Sequence, residues 1–465
     1  MSHKSFSILA TGLIAVSVLA QQTDAPPADA PLVEDAPKAP ALAWGADLRI
    51  REEAFDDIPI LADPPGITRG GGNNYFRIRS RLWGSATWDA ITLYGRLVNE
   101  FREYLEPDAS SAWDWPDELV VDQLYLDLKG LADGTFDVRI GRQDMRLGAG
   151  RILLEGTPKD GSRTLYFDAA RVTWHLDGMA TLDAFGIYNQ ARSYLDIGPL
   201  DRDNTGFDKY YNDLTESGGG LYATLKRLPR MPVECYYIFK DESAWNSFAS
   251  GDPPQPVKQL GRQTHTIGTR LLPRLNDQIG FEFEGAAQFG ETDDKRDISG
   301  YLGYGAAIWT LPVEIAKARP TLTAGLYYLS GDDSGTADKD EGWNPLWSRY
   351  PQFSELYIYA FDAEKAGYWS NVLYPSLTAA IKFSNFHKLS LSAGVMYAPE
   401  ENGPGDGNRR GNLYTARYDF PIADGLLAKS DRMYGHLLAE CLDPGDYYKV
   451  DHTAYFLRWE LVYSF

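Results

Sequence analysis

Arg77, Arg79 and Arg81 stand at alternate positions in one short stretch, and they are the residues of this chain best placed to do chemistry. In an extended strand, side chains two residues apart leave the same face roughly 6–7 Å apart. Three guanidinium groups in such a row repel one another unless anions lie between them. Each can meet a carboxylate through planar, bidentate hydrogen bonds. A row of this kind favours an acidic polymer such as a polyuronate over a neutral sugar, without gripping any single unit tightly.

Further arginines fall on like-facing positions of neighbouring segments: Arg49 and Arg51 before the row, then Arg96, Arg102, Arg139 and Arg171 after it. Asp47, Glu53, Glu100, Asp127, Asp137 and Asp177 share those faces. For most single arginines the plainer reading is a cross-strand ladder of opposite charges that stabilises a polar interior. Arg77, Arg79, Arg81, Arg96, Arg139 and Arg171 are therefore candidate pore-lining residues, with Glu100, Asp127 and Asp137 as charge partners that tune the field. Catalysis finds no comparable set. His175, His265, His387, His436 and His452 join no nucleophile motif, and phosphate loops and zinc spacings are missing, so the chain does not read as an enzyme. His175 and His436 fall on inward mid-strand positions and read as hydrogen-bonded interior groups.

Elements of period two must carry these residues. Residues 452–465 read HTAYFLRWELVYSF, with Tyr455, Leu457, Trp459, Leu461, Tyr463 and Phe465 on one face. Outward aromatics in that number, on a strand ending in Phe465, are the pattern of a transmembrane β-barrel rather than of a soluble sandwich. No stretch after the first twenty residues is long and apolar enough for a spanning helix, so a membrane reading requires a barrel. Residues 1–20 read as a secretory signal peptide, with His3 and Lys4, an apolar run over 6–19 and a small-residue cleavage signal at 17–20. Residues 21–43, rich in Pro, Ala and Asp, read as an extended periplasmic leader. Residues 44–465 read as the barrel.

Short turns alternate with long connections, the rhythm of an outer-membrane barrel with periplasmic turns and extracellular loops. Asp89-Ala90, Asp177-Gly178 and the turns near Pro229, Pro273, Pro320 and Asn385 supply the short set; 54–73, 105–118, 148–163, 194–216, 245–260, 291–298, 333–369 and 400–410 supply the long one. Seventeen segments are clear. A chain that enters and finishes on the periplasmic side needs an even number, so the weak segment 411–420 must also be a strand. The expectation is eighteen antiparallel strands, with sixteen as the fallback, around a lumen wide enough for water. A net charge of −20, from 65 acidic and 45 basic residues, argues against a nucleic-acid partner. Cys235 and Cys441 read as small hydrophobes on lipid-facing positions. Acidic clusters at Asp56-Asp57, Asp332-Asp333 and 338–341 read as solvated loops, where a divalent cation could bridge carboxylates. No other cofactor is implied.

The stretch GRQDMRLGAGRILLEGTPKDGSRTLYFDAARVTW, from Gly141, resembles the alginate export family of outer-membrane porins, in which a Gly-Arg-Gln segment precedes a loop and an arginine-bearing strand. SGDDSGTADKDEGWNPLW resembles the family's acidic loop, and CLDPGDYY its late loop. The resemblance implies a monomeric, eighteen-stranded channel whose arginine-rich constriction passes anionic polysaccharide outward, and it points to Arg142, Arg146 and Arg171. Arg142 has the same parity as the lipid-facing Ile140, so it requires either a bulge at Gly141 or a place above the hydrocarbon. The implied partners are an anionic polysaccharide or oligosaccharide, outer-membrane lipid, the barrel-assembly machinery and a periplasmic export partner. Two rival readings stand beside it: an uptake porin for small organic acids or oligosaccharides, and a closed structural or adhesion barrel.

Overall fold

The computed structural model describes residues 39–57, 72–106, 119–154, 166–176, 178–190, 196–197, 215–228, 230–249, 255–348, 351–359, 361–362, 365–366, 369–449 and 451–465. The expected signal peptide, most of the leader, Asp177 and several loop tips lie outside the described residues.

Eighteen strands form one antiparallel barrel: β1 (Ala41–Asp56), β2 (Gly72–Trp88), β3 (Ile91–Glu106), β4 (Leu119–Gly130), β5 (Phe136–Gln143), β6 (Phe167–Leu176), β7 (Ala180–Asn189), β8 (Glu216–Leu225), β9 (Val233–Glu242), β10 (Arg262–Leu271), β11 (Ile279–Thr292), β12 (Tyr301–Thr310), β13 (Thr321–Leu329), β14 (Val372–Ser384), β15 (His387–Tyr397), β16 (Arg409–Asp424), β17 (Arg432–Pro444) and β18 (Ala454–Ser464). Each pairs with the next, and β1 pairs with β18 from Asp47↔Ser464 to Asp56↔Tyr455. Closure satisfies the backbone of every wall strand from its neighbours, which a hydrocarbon surround demands. The segment 411–420 is the middle of β16, a strand of 16 residues that pairs with both β15 and β17. Its signal was weak because Arg417 and Asp419 interrupt the hydrophobic text; both face inward and pair with each other at 2.8 Å. β1 begins at Ala41, where Ala41, Leu42 and Ala43 pair with Thr87, Ala86 and Ser85.

The exterior carries two aromatic belts. Trp44, Trp88, Trp174, Trp309 and Phe465 are exposed at the short-turn end, and Tyr188, Phe289, Tyr301, Tyr328 and Tyr455 are exposed toward the other. Amphipathic rings at both membrane–water boundaries fix the depth of the barrel. The short-turn end is periplasmic by the same convention.

Two long connections enter the lumen. The segment 144–154 after β5 buries Met145, Leu147, Ile152 and Leu153, and the segment 330–371 between β13 and β14 buries Trp343, Leu346, Trp347, Leu356, Tyr357 and Trp369. These side chains belong to one hydrophobic cluster that also takes in the inward Tyr222, Tyr236 and Phe456 of the wall. The sequence left the course of 333–369 open. Its described residues occupy the pore.

Candidate functional site

Strand register decides how the arginines are arranged. Across β1 and β2, Asp47 lies opposite Arg81, but Arg49 lies opposite Arg79 and Arg51 opposite Arg77. Like charges directly opposite one another destabilise a sheet, so carboxylates must reach in from the flanking strands. β3 places Glu100 opposite Arg79, and β18 places Glu460 opposite Arg51 and Arg458 opposite Glu53. Glu100 takes Arg49 at 3.0 Å and Arg77 at 2.6 Å. Glu53 takes Arg51 at 2.9 Å, Arg77 at 3.5 Å and Arg458 at 3.5 Å, and accepts the Tyr75 hydroxyl at 2.9 Å. Asp47 holds Arg81 at 2.8 Å and Arg79 at 3.8 Å, and Glu460 lies 3.7 Å from both Arg49 and Arg51. The anions between the three arginines of β2 are thus carboxylates of the wall itself. Arg49, Arg51, Arg77, Arg79 and Arg458 are all buried.

The other candidate positions form a second row that follows β3 to β7. Arg96 is bound by Asp122 at 2.7 Å and Asp144 at 3.3 Å. Arg139 makes a bidentate pair with Asp127, at 3.0 and 2.7 Å, and covers the Tyr125 ring at 4.1 Å. Arg171 pairs with Asp183 at 2.9 Å. Asp137 lies at the turn end, where His175, Lys129 and the Gly130 N–H contact it.

Arg142 and Arg146 belong to neither row. Gly141 has φ 123°, and a Cβ there would lie 2.3 Å from the Leu124 carbonyl oxygen, so the strand bends at a position only glycine fits. Arg142 keeps the exterior parity of Ile140, opposite Asp168 and Leu124. Its guanidinium donates to Asp168 at 2.9 Å and to the Val121 carbonyl at 2.9 Å, and it stacks 3.6 Å over Tyr166. It braces the extracellular end of the wall. Arg146 is exposed on the inward segment and donates to the Ala149 carbonyl at 3.1 Å.

Several lumen residues were not singled out in the sequence. Arg151, on the segment 144–154, reaches the opposite wall: its Nη1 donates to Glu282 at 2.8 Å and Glu284 at 2.6 Å of β11, and its guanidinium lies 3.5 Å over Tyr304 of β12. Lys240 of β9 binds Glu216 at 2.9 Å and donates to the Leu346 carbonyl at 2.8 Å. Arg458 donates to His436 at 3.0 Å and binds Glu355 of the segment 330–371 at 3.0 Å. Parity could have found Arg458 and Glu460, which alternate with the outward Leu457, Trp459 and Leu461. Nothing local could have found Arg151 or Glu355, whose partners lie far away in sequence. Among the described residues no group of three or more His, Cys, Asp or Glu side chains is placed to hold a metal ion.

The fold is that of known porins. The outer membrane protein OpdK of Pseudomonas aeruginosa matches with a TM-score of 0.54 at 13% identity, over 91% of this chain and 99% of that one. A BenF-like porin from Pseudomonas fluorescens Pf-5 matches at 0.53 and 12%, over 91% and 98%, and OccK3 (OpdO) of P. aeruginosa at 0.52 and 12%, over 91% and 95%. No curated protein matches the sequence. The alginate export family model matches residues 41–397. With the closed eighteen-stranded wall and its two aromatic belts, this match makes the chain an outer-membrane β-barrel protein that belongs to the alginate export family.

Proposed function

We propose that this protein is a channel that passes an anionic polysaccharide of the uronate type, or its oligomers, along an arginine-lined lumen. The observation that carries the reading is a charge surplus on one side of the wall. Across β18, β1 and β2, with Glu100 from β3 and Glu355 from the segment 330–371, the arginines 49, 51, 77, 79, 81 and 458 meet the carboxylates of Asp47, Glu53, Glu100, Glu460 and Glu355, six cations to five anions among the described residues of that group. A net positive field held in a low-dielectric wall raises the local concentration of anions, while internal pairing keeps any one contact weak enough to release. Family membership favours export, although a passive pore has no built-in direction.

Planar-bilayer recording tests it. The expected result is an anion-selective reversal potential and block by tetragalacturonate but not by maltotetraose, both reduced in R79Q and R81Q. A closed or cation-selective pore, indifferent to those substitutions, would leave the arginines as scaffolding. A second reading, uptake of small organic acids, is favoured by the two inward segments that narrow the lumen, and OpdK, a porin of this fold, has a structure with vanillate. Permeation by small carboxylates without block by the oligomer supports that alternative.

A further inference from the structure

We propose that Arg458 is a carboxylate-binding subsite of this channel, and that Glu355 occupies it as an internal stand-in for substrate; the inference rests on the polyanion reading above. Among the described residues, the other carboxylates on the β18–β1–β2 arginine group come from the wall, whereas Glu355 comes from the segment that enters the lumen between β13 and β14. Its side chain is 24% exposed, while Arg458 beneath it is 0% exposed. Among the described residues, Glu355 is the partly exposed carboxylate in contact with this arginine. An incoming carboxylate that takes the position must displace a like group, so the exchange replaces one charge-assisted pair with another of the same kind.

The segment is held by a reciprocal latch on neighbouring strands. Glu355 projects from the segment onto Arg458 of β18, at 3.0 Å. Glu440 projects from β17 onto the segment, where it accepts the Leu356 N–H at 2.7 Å and the Ser354 hydroxyl at 2.7 Å. Tyr357 adds a hydroxyl contact to Tyr448 at 2.9 Å. The chain tether keeps Glu355 at a high effective concentration, in the millimolar range or above, beside its arginine. A free monosaccharide acid competes poorly with a tethered carboxylate. An oligomer competes well, because once its first carboxylate is in place the next ones meet the rest of the arginine row. The subsite thus selects for chain length as well as for charge.

The test compares wild type with E355Q in a planar bilayer, with galacturonate, tetragalacturonate and maltotetraose as probes. E355Q should tighten tetragalacturonate block by about tenfold, bring galacturonate block into the measurable range, and leave maltotetraose without effect. Tetragalacturonate block that is present in wild type and unchanged in E355Q overturns this inference and leaves the channel reading intact. No block in either protein overturns the channel reading and this inference with it. Hydrogen exchange on wild type guards against a variant that fails to fold: tetragalacturonate should speed exchange of the Leu356 amide as the segment leaves Glu440. Exchange that is unchanged while block occurs would place the oligomer elsewhere and overturn the assignment.

Discussion

Leu153 and Trp347 meet as a parallel β-bridge inside the barrel. The Trp347 N–H donates to the Ile152 carbonyl at 3.1 Å, and the Gln352 side chain donates to the Gly150 carbonyl at 2.5 Å. Each inward segment thus supplies backbone partners that the other needs once it leaves water. The indole is fully buried against Gly218, where a Cβ would stand 2.9 Å from the ring, and lies 5.4 Å from the Lys240 ammonium. The bridge, the hydrogen bonds and the shared apolar packing join the two segments into one packed body within the lumen.

W347A removes the ring at the centre of that body, at a cost of about 3–5 kcal/mol. If the segments are coupled, limited proteolysis of the variant cuts both 144–154 and 330–371, and single-channel current rises. Cleavage confined to 330–371 would mean that the segments move independently.

Arg151 anchors the same body to the far wall. R151Q leaves Glu282 with Arg270 at 2.9 Å and Glu284 with the Tyr236 hydroxyl at 3.1 Å, so the loss is partial. A destabilisation of about 2–3 kcal/mol in urea unfolding is expected. Combined with W347A, the two losses should fall short of additivity by about 0.5–3 kcal/mol, because the first substitution already frees the segment.

E100Q separates stability from selectivity. Glu100 is fully buried and serves both Arg49 and Arg77, so its neutralisation leaves like charges facing each other and costs about 3–5 kcal/mol. It also removes one of the five described carboxylates that meet the six arginines. The refolded variant should melt earlier and select anions more strongly. A variant that loses stability with no shift in reversal potential would assign this carboxylate to scaffolding alone.

The strand number and the facing of most arginines could be read from the sequence, because both follow from a period of two and from turn length. Parity is local and survives as long as the strand is regular. It gave Arg49, Arg51, Arg77, Arg79 and Arg81 their common face, and Asp47, Glu53 and Glu100 with them, but not Glu460. The pairing of Arg79 with Glu100 or of Glu53 with Arg458 also needs register, which the turns and the closure of the sheet set together. The inward segments were out of reach for a different reason. Arg151, Glu355 and Glu440 meet partners across the lumen, and no spacing within one element encodes such a contact.

Gly141 marks where local reading becomes ambiguous, and it yields a prediction. At φ 123° with the Leu124 carbonyl 2.3 Å from any Cβ, alanine strains the backbone and forces β4 and β5 apart. G141A should cost at least about 1–3 kcal/mol, seen as a lower temperature for the electrophoretic shift of unheated barrel. Arg142 would lose its Val121 contact at the same time, so Arg142→Lys should destabilise the wild type but do little further harm in G141A.

The turn between β16 and β17 supplies the pH dependence. Burial pushes the Asp431 carboxyl up, but the Tyr463 hydroxyl at 2.5 Å and the N–H groups of Ala428, Leu427 and Leu426, at 2.7, 2.5 and 2.7 Å, outweigh it and hold the pKa at about 2. An unfolded aspartate titrates near 3.9, so the folded value is the lower one. A depressed carboxyl stabilises the fold above its unfolded pKa and loses that contribution as pH falls through the folded value. The stabilisation is therefore whole above about pH 5, fades from about pH 4 to pH 2 and is nearly gone below that. D431N lacks the charge at every pH. Its turn amides, Leu427 and Ala428, should exchange faster than those of wild type at neutral pH, and the two proteins should converge near pH 2. A gap that stays constant across that window would show that the carboxylate charge contributes nothing and that turn shape alone protects those amides.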